Sequence, residues 1–219
     1  MSKKNARWRK LDNAAKLYSA ASNKKDTRVF RFYCELKEEV NPKALQEALN
    51  QTIETFPTFL MVLRKGFFWH YLEPCNLRPI VKEEYKEPCS RLYIRDKKTL
   101  LFEVTYYKKR INFEVFHVLT DGTGATEFLK ELVKNYLYLV HKEEGLEQIT
   151  LLPEDMTVQD QEDDSFLKYY SKNQKRPKKR KLNAFQIRRK KKDGNHLHVH
   201  ESVVSVQAVL RRSRELGVS

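Results

Sequence analysis

Between residues 110 and 141 the hydrophobic period changes from that of a strand to that of a helix within a few positions, and this switch constrains the fold more than any other stretch. Ile111, Phe113 and Val115 alternate with Asn112 and Glu114, as on a half-buried strand, and His117 continues the apolar face. Further on, Ala125, Phe128, Leu129, Leu132, Val133, Tyr136, Leu137 and Val140 recur at spacings of three and four and form one stripe on a helix. The connection reads His117-Val118-Leu119-Thr120-Asp121-Gly122-Thr123-Gly124. A strand that stops at a histidine and turns sharply into a helix leaves an imidazole at the rim of a sheet. There it can meet a substrate while the scaffold stays rigid.

His117 and Asp121 are the residues on which a chemical reading can be built. An ordinary imidazole is mostly neutral at neutral pH and can take a proton from a hydroxyl or thiol, so His117 is a candidate general base. Asp121, four residues on, is better placed to pin the corner through its own hydrogen bonds than to act as a second base. Gly122 and Gly124, flanking Thr123, let the chain bend and let a ligand approach the main chain. On residue chemistry alone, a strand-end histidine is structural more often than catalytic.

The remainder of the first 150 residues supplies a sheet and a second helix. From Thr27 to Val40, Phe30, Phe32, Cys34 and Leu36 alternate with Arg31, Tyr33 and Glu35 in the first strand. Asn41-Pro42 starts a helix carrying Leu45, Leu49 and Ile53, and Phe56-Pro57 ends it. Phe59 to Leu63 and Phe67 to Leu72 read as a hairpin around Arg64-Lys65-Gly66, with His70 a strand residue in its second arm. A proline-bearing connection from Glu73 to Ser90 crosses the surface. Leu100, Phe102, Val104 and Tyr106 then restart the alternation and turn at Lys108-Lys109 into the central strand. The expected class is α/β, an α+β sandwich, with a mixed, largely antiparallel sheet and helices packed on one face. The opening segment from Met1 to about Asp26 is basic and polar and is expected to pack on the surface of the core through Trp8, Leu11, Leu17 and Tyr18.

Charge separates the rest of the chain. The 219 residues carry 43 Lys and Arg against 29 Asp and Glu, a net +14, with 40% hydrophobic residues and 11% aromatics. This composition suits a folded core, and the charge raises nucleic acid or an anionic membrane as partners without deciding between them. Glu154 to Asp164 is acidic, Lys172 to Lys181 and Arg188 to Lys192 are basic, and neither block has an apolar period. They are read as a charged linker over residues 151–194, with a nucleic-acid site as the rival. Residues 195–219 resume order. His196, His198 and His200 share a strand face without the carboxylate or thiol cluster a metal site needs, so no metal is assigned. Ser205 caps a helix bearing Val206, Val209 and Leu210, and Gly217 stops it. Cys34, Cys75 and Cys89 have no CxxC spacing and are expected to be free thiols in a cytoplasmic protein. No secretory signal and no bilayer-spanning run is expected.

His117-x-x-x-Asp121-Gly122 resembles the HxxxDG signature of the chloramphenicol-acetyltransferase-like and condensation-domain superfamily, and its strand-to-helix setting is that family's setting. Trp8 to Lys16, Ala44-Leu45 to Phe56-Pro57, and Phe116 to Phe128 look like the bacterial alcohol-acetyltransferase-like branch. The resemblance implies the first subdomain of a CoA-dependent acyltransferase fold, a V-shaped pair with the histidine at the interface. It implies that His117 is the general base, Asp121 is structural, and Gly122, Thr123 and Gly124 border the substrate channel. It further implies acyl-CoA, such as acetyl-CoA, as cosubstrate, an alcohol or other nucleophile as acceptor, and no bound cofactor. In such enzymes a helix like the one after Ser205 leads into a second subdomain, and the family's DFGWG motif does not occur here. The chain is therefore expected to be an N-terminal half that is inactive alone. The alternative is a non-catalytic basic binding protein retaining the half-fold.

Overall fold

The computed structural model describes residues 8–144, apart from Phe68 and Asp96, and residues 202–218. Two compact units divide the chain, Met1–Arg176 and Pro177–Ser219. In the first, the elements run β1 (Arg9–Lys10), α1 (Asn13–Ala21), β2 (Val29–Glu35), α2 (Pro42–Thr55), a 3-10 turn (Pro57–Phe59), β3 (Met61–Lys65), β4 (His70–Pro74), β5 (Lys82–Glu83), β6 (Phe102–Tyr107), β7 (Arg110–Phe116) and α3 (Gly122–Val140). The fold is α/β with largely antiparallel sheets and packed helices, and its strands divide into two sheets. One is β1-β4-β3 and the other β2-β7-β6-β5, where only the short β5–β6 pair is parallel.

Local chemistry explains where the helices begin. Asp12 accepts the N–H of Ala15 at 2.6 Å and starts α1. Asn41 accepts the N–H groups of Lys43 and Ala44, with Pro42 pre-set for the first turn, and starts α2. At the other end of α2, Phe56 precedes a proline and leaves helical geometry. The opening segment goes further than surface packing, since it supplies both an edge strand and a helix, with Leu11 and Ala15 buried and Leu17 exposed.

In the four-stranded sheet, β7 lies between β2 and β6. Phe30, Phe32 and Cys34 face Val115, Phe113 and Ile111 across one ladder, and Phe102, Val104 and Tyr106 face the same three across the other. This face meets the helices. Phe113 stacks on Phe128 of α3 at 4.7 Å, and Phe59 stacks on the same ring at 4.4 Å. α2 and α3 are tied by Asn135, which donates to Thr52 Oγ1 at 3.1 Å, and by Tyr136, whose hydroxyl accepts the Asn41 N–H at 2.8 Å.

Two details differ from the sequence expectation. The hairpin pairs Lys65 with His70, so its turn is Gly66–Trp69 and the second arm starts three residues after Phe67. The Gly66 N–H donates to the Trp69 carbonyl at 2.7 Å, and a Cβ at Gly66 would approach that carbonyl to 3.1 Å. Moreover, Asn112 and Glu114 are buried and not solvated: Asn112 bonds to Thr105 on β6, and Glu114 is met by the Cys89 N–H from the segment between β5 and β6.

The second unit contributes α4 (Val206–Glu215), capped by Ser205, which accepts the Ala208 N–H at 3.4 Å, and Gly217 follows at φ +63°. The charged linker of residues 151–194, and residues 195–201 with the histidines at 196, 198 and 200, lie outside the described residues. No helix among the described residues is long and apolar enough to cross a membrane.

Candidate functional site

β7 ends at Phe116, and the Phe116 carbonyl accepts the Leu119 N–H at 2.8 Å, which closes a turn over residues 117–119. His117 sits at its start, half-buried. Its N–H donates to the Arg28 carbonyl at 2.9 Å, joining the end of β7 to the entry of β2. Arg28 adopts φ +55°, a left-handed conformation that carries steric cost outside glycine, and such strain persists only where surrounding contacts hold it. Its Nη2 pairs with Asp26 at 3.0 Å, while its Nε is buried without a hydrogen-bond partner among the described residues.

The imidazole lies in an aromatic slot. Tyr18 from α1 stacks on it with centroids 4.0 Å apart and planes 17° from parallel, and Phe30 from β2 lies against it at 4.8 Å and 56°. Phe32 continues the wall at 5.6 Å from Phe30. Neither spacing nor motif distinguishes Tyr18 or Phe30 as a site residue. Tyr18 arrives from α1 through tertiary packing, and Phe30 arrives through the β2–β7 register. Among the described residues the Nδ1 of His117 is buried and has no hydrogen-bond partner, which makes Nε2 the candidate nitrogen for a ligand.

Asp121 is the N-cap of α3. Its Oδ1 accepts the Gly124 N–H at 3.0 Å, satisfying one of the donors that a helix start leaves open, and its carbonyl accepts the Ala125 N–H in the first intrahelical bond. Among the described residues it forms no ion pair. The glycines differ in purpose. A Cβ on Gly124 would reach Thr120 Oγ1 at 2.2 Å, whereas one on Gly122 would meet only Phe32, at 3.9 Å. Gly124 is thus required by close packing inside the corner, and Gly122 leaves open space in front of Phe32. Thr123 is exposed between them. The corner places His117 and Asp121 on one turn, with the aspartate serving the helix start and making no hydrogen bond to the imidazole.

Behind the site, the opposite sheet face holds an ion network. Glu114 is 2% exposed, accepts from Arg31 Nε at 2.8 Å and from the Cys89 N–H at 2.6 Å, and Arg31 also reaches Glu84 at 2.6 Å. Arg110 joins Glu84 at 3.1 Å. Burial works against the charge on Glu84, but hydrogen bonds and charges from Arg31 and Arg110 outweigh it and hold the carboxyl below its ordinary range. Burial likewise opposes the charge on Arg31, yet Glu84 and Glu114 raise its pKa above the ordinary value. Among the described residues no cluster of His, Cys, Asp and Glu is placed to hold a metal ion.

No protein-family model and no curated protein matches the sequence. Solved structures do resemble it. The starter condensation domain of rhizomide synthetase RzmA superposes with a TM-score of 0.53 at 13% identity, covering 66% of this chain and 40% of that one. A variant of the same domain in complex with C8-CoA gives 0.53 at 14% identity, over 65% and 38%. The first condensation domain of the calcium-dependent antibiotic synthetase, in complex with a substrate analogue, gives 0.52 at 14%, over 67% and 40%. Identities this low speak to architecture alone: the chain has the condensation-domain fold, over about two fifths of the length of those domains.

Proposed function

We propose that the chain supplies the histidine-bearing part of an acyl-CoA-dependent O-acyltransferase of the alcohol-acetyltransferase kind. The observation that carries this reading is the placement of His117, at the end of β7 in a slot made by Tyr18 and Phe30, one turn before the capped start of α3. The C8-CoA held by one condensation-domain neighbour supports an acyl thioester as the donor. His117 Nε2 takes the proton of the acceptor hydroxyl as its oxygen bonds to the thioester carbonyl carbon. The tetrahedral adduct then collapses, the carbon–sulfur bond breaks, and the same proton passes to the departing thiolate, giving ester and free CoA thiol. For Nε2 to act as base, the ring's other proton sits on the buried Nδ1. Asp121 holds the corner, and Gly122 leaves room before Phe32.

The test is CoA thiol release from acetyl-CoA with an alcohol acceptor, measured on the full reading frame. His117→Ala is expected to lower turnover by about a hundredfold or more with an unchanged melting temperature. A folded variant with near-normal turnover removes His117 from the mechanism. The 219-residue chain alone is expected to be inactive and to self-associate, because apolar area meant for a partner rarely stays exposed on a monomer. If no assembly releases thiol, the chain is a binding protein on this fold.

A further inference from the structure

Far along the chain from His117, the β3–β4 hairpin presents its largest apolar side chains to solvent. Phe67 is 94% exposed and Trp69 60%. Both belong to the turn, and the Trp69 indole lies over Gly66, with Nε1 3.5 Å from the site of a Cβ there, so it is held at the tip and not in the core. Just before β1, the strand that pairs with β4, Trp8 is 52% exposed and packs edge-on to Tyr71 at 6.1 Å. Five-residue arms of about 3.3 Å per residue carry the turn roughly 17 Å from the base of the hairpin. A hairpin with phenylalanine and tryptophan at its end exposes contiguous apolar area to water.

Cations stand behind these rings. Lys10 is paired in register with Tyr71, Lys65 with His70, and Arg64 is opposite Tyr71 on the other side. The one carboxylate among the strand residues of this sheet, Glu73, is already bound to Arg64 at 3.2 Å. Lys65 and Arg95 both lie close enough to His70 to disfavour its protonation, adding to the effect of its burial. The arrangement is apolar at the projecting end and positive on the flanks.

We propose that this hairpin docks on an anionic phospholipid surface, with Phe67 and Trp69 entering the headgroup region and Lys10 and Lys65 meeting the lipid phosphates and carboxylates. Aromatic rings settle at that depth because one part of the ring prefers the acyl boundary and, for indole, the N–H prefers water. Lysine stems lie along apolar surface while the ammonium stays with the headgroups. A single-stranded nucleic acid fits less well, since it needs rings spaced along a groove at successive base positions, and these stand at the end of a ribbon. A second copy of the chain would bring like charges together.

Co-sedimentation of the full chain with phosphatidylcholine vesicles, with and without phosphatidylserine, tests the idea at physiological ionic strength. The net charge of +14 will favour anionic vesicles wherever it resides, so the deciding comparison is with the F67S/W69S double variant, whose exposed positions leave folding unchanged by circular dichroism. The double variant is expected to partition at least about tenfold less onto the serine-containing vesicles. In a Trp8→Phe background, Trp69 is the sole tryptophan, and its emission is expected to shift to the blue on vesicle addition. Equal partition of the double variant and the parent, or an unshifted Trp69, overturns the proposal and leaves bulk charge as the cause. No partition at all overturns it too. Loss of oligonucleotide binding or of dimerisation in the double variant, without a vesicle effect, reassigns the surface to those partners.

Discussion

Phe113 and Glu114 are neighbours on β7, yet they sit in opposite environments. Phe113 faces the helices and stacks on Phe128, in a cluster where Phe56, Phe59 and Phe102 also touch that ring. Glu114 faces the other way, equally buried, and is held by Arg31 and the Cys89 N–H. The apolar face stabilises through area removed from water and close packing, and it tolerates shape changes of modest size. The polar face gains less, because desolvating its charges offsets most of their attraction, but it is intolerant of losing any single member. One strand thus carries a source of stability on one side and a constraint on register on the other.

The sharpest way to break this contrast is Phe128→Ala. It empties the centre of the aromatic cluster and is expected to cost about 3–5 kcal/mol in urea unfolding; a loss under 1 kcal/mol would mean the cluster is not the core. Glu114→Ala comes next, at roughly 3 kcal/mol, since it removes one of the two carboxylates on Arg31 and leaves the Cys89 N–H without its acceptor. Pairing it with Arg31→Met should recover most of that loss, and a double variant as unstable as the single would contradict the network's small net worth. Acid provides a gentler probe. Glu84 has a folded-state pKa below its ordinary value of 4.5, so its contribution is present above that value and is lost as pH falls through the lower, folded-state value. Melting temperature should therefore drop more steeply below pH 4.5 in the parent than in Glu84→Gln. The smallest effect belongs to Asp121→Ala, about 1 kcal/mol from the lost cap. Asp121→Asn should keep the cap, and lost activity at full stability in that variant would give the carboxylate a direct chemical part.

What the sequence revealed follows from how local each determinant is. The limits of α2 were readable because Asn41, Pro42, Phe56 and Pro57 act on their immediate neighbours. The corner at His117 was readable because a change of period needs only one stretch of chain. Alternation makes Glu114 look outward-facing, since it reports polarity and not cover, and the cover comes from Arg31 and Cys89 elsewhere in the chain. Apolarity alone puts Phe67 in a strand, whereas the register puts it in the turn. The slot around His117 was hidden for the same reason: Tyr18 reaches it only after α1 docks. Short elements such as β1 give too few residues for any period to show.

The ladder between β2 and β7 also sets an order of events. Arg31 and Glu114 are separated by 83 positions, and at about 5–20 residues per second a ribosome delivers the second roughly 4–17 seconds after the first. Throughout that interval Phe30 and Phe32 have emerged while the strand they pair with does not yet exist. A nascent chain in this state presents an unpaired apolar strand, the kind of segment that holdase chaperones shield and that crowded polysomes aggregate. Synonymous slowing of translation between β2 and β7 would lengthen that exposure and lower the yield of folded protein without changing a single residue.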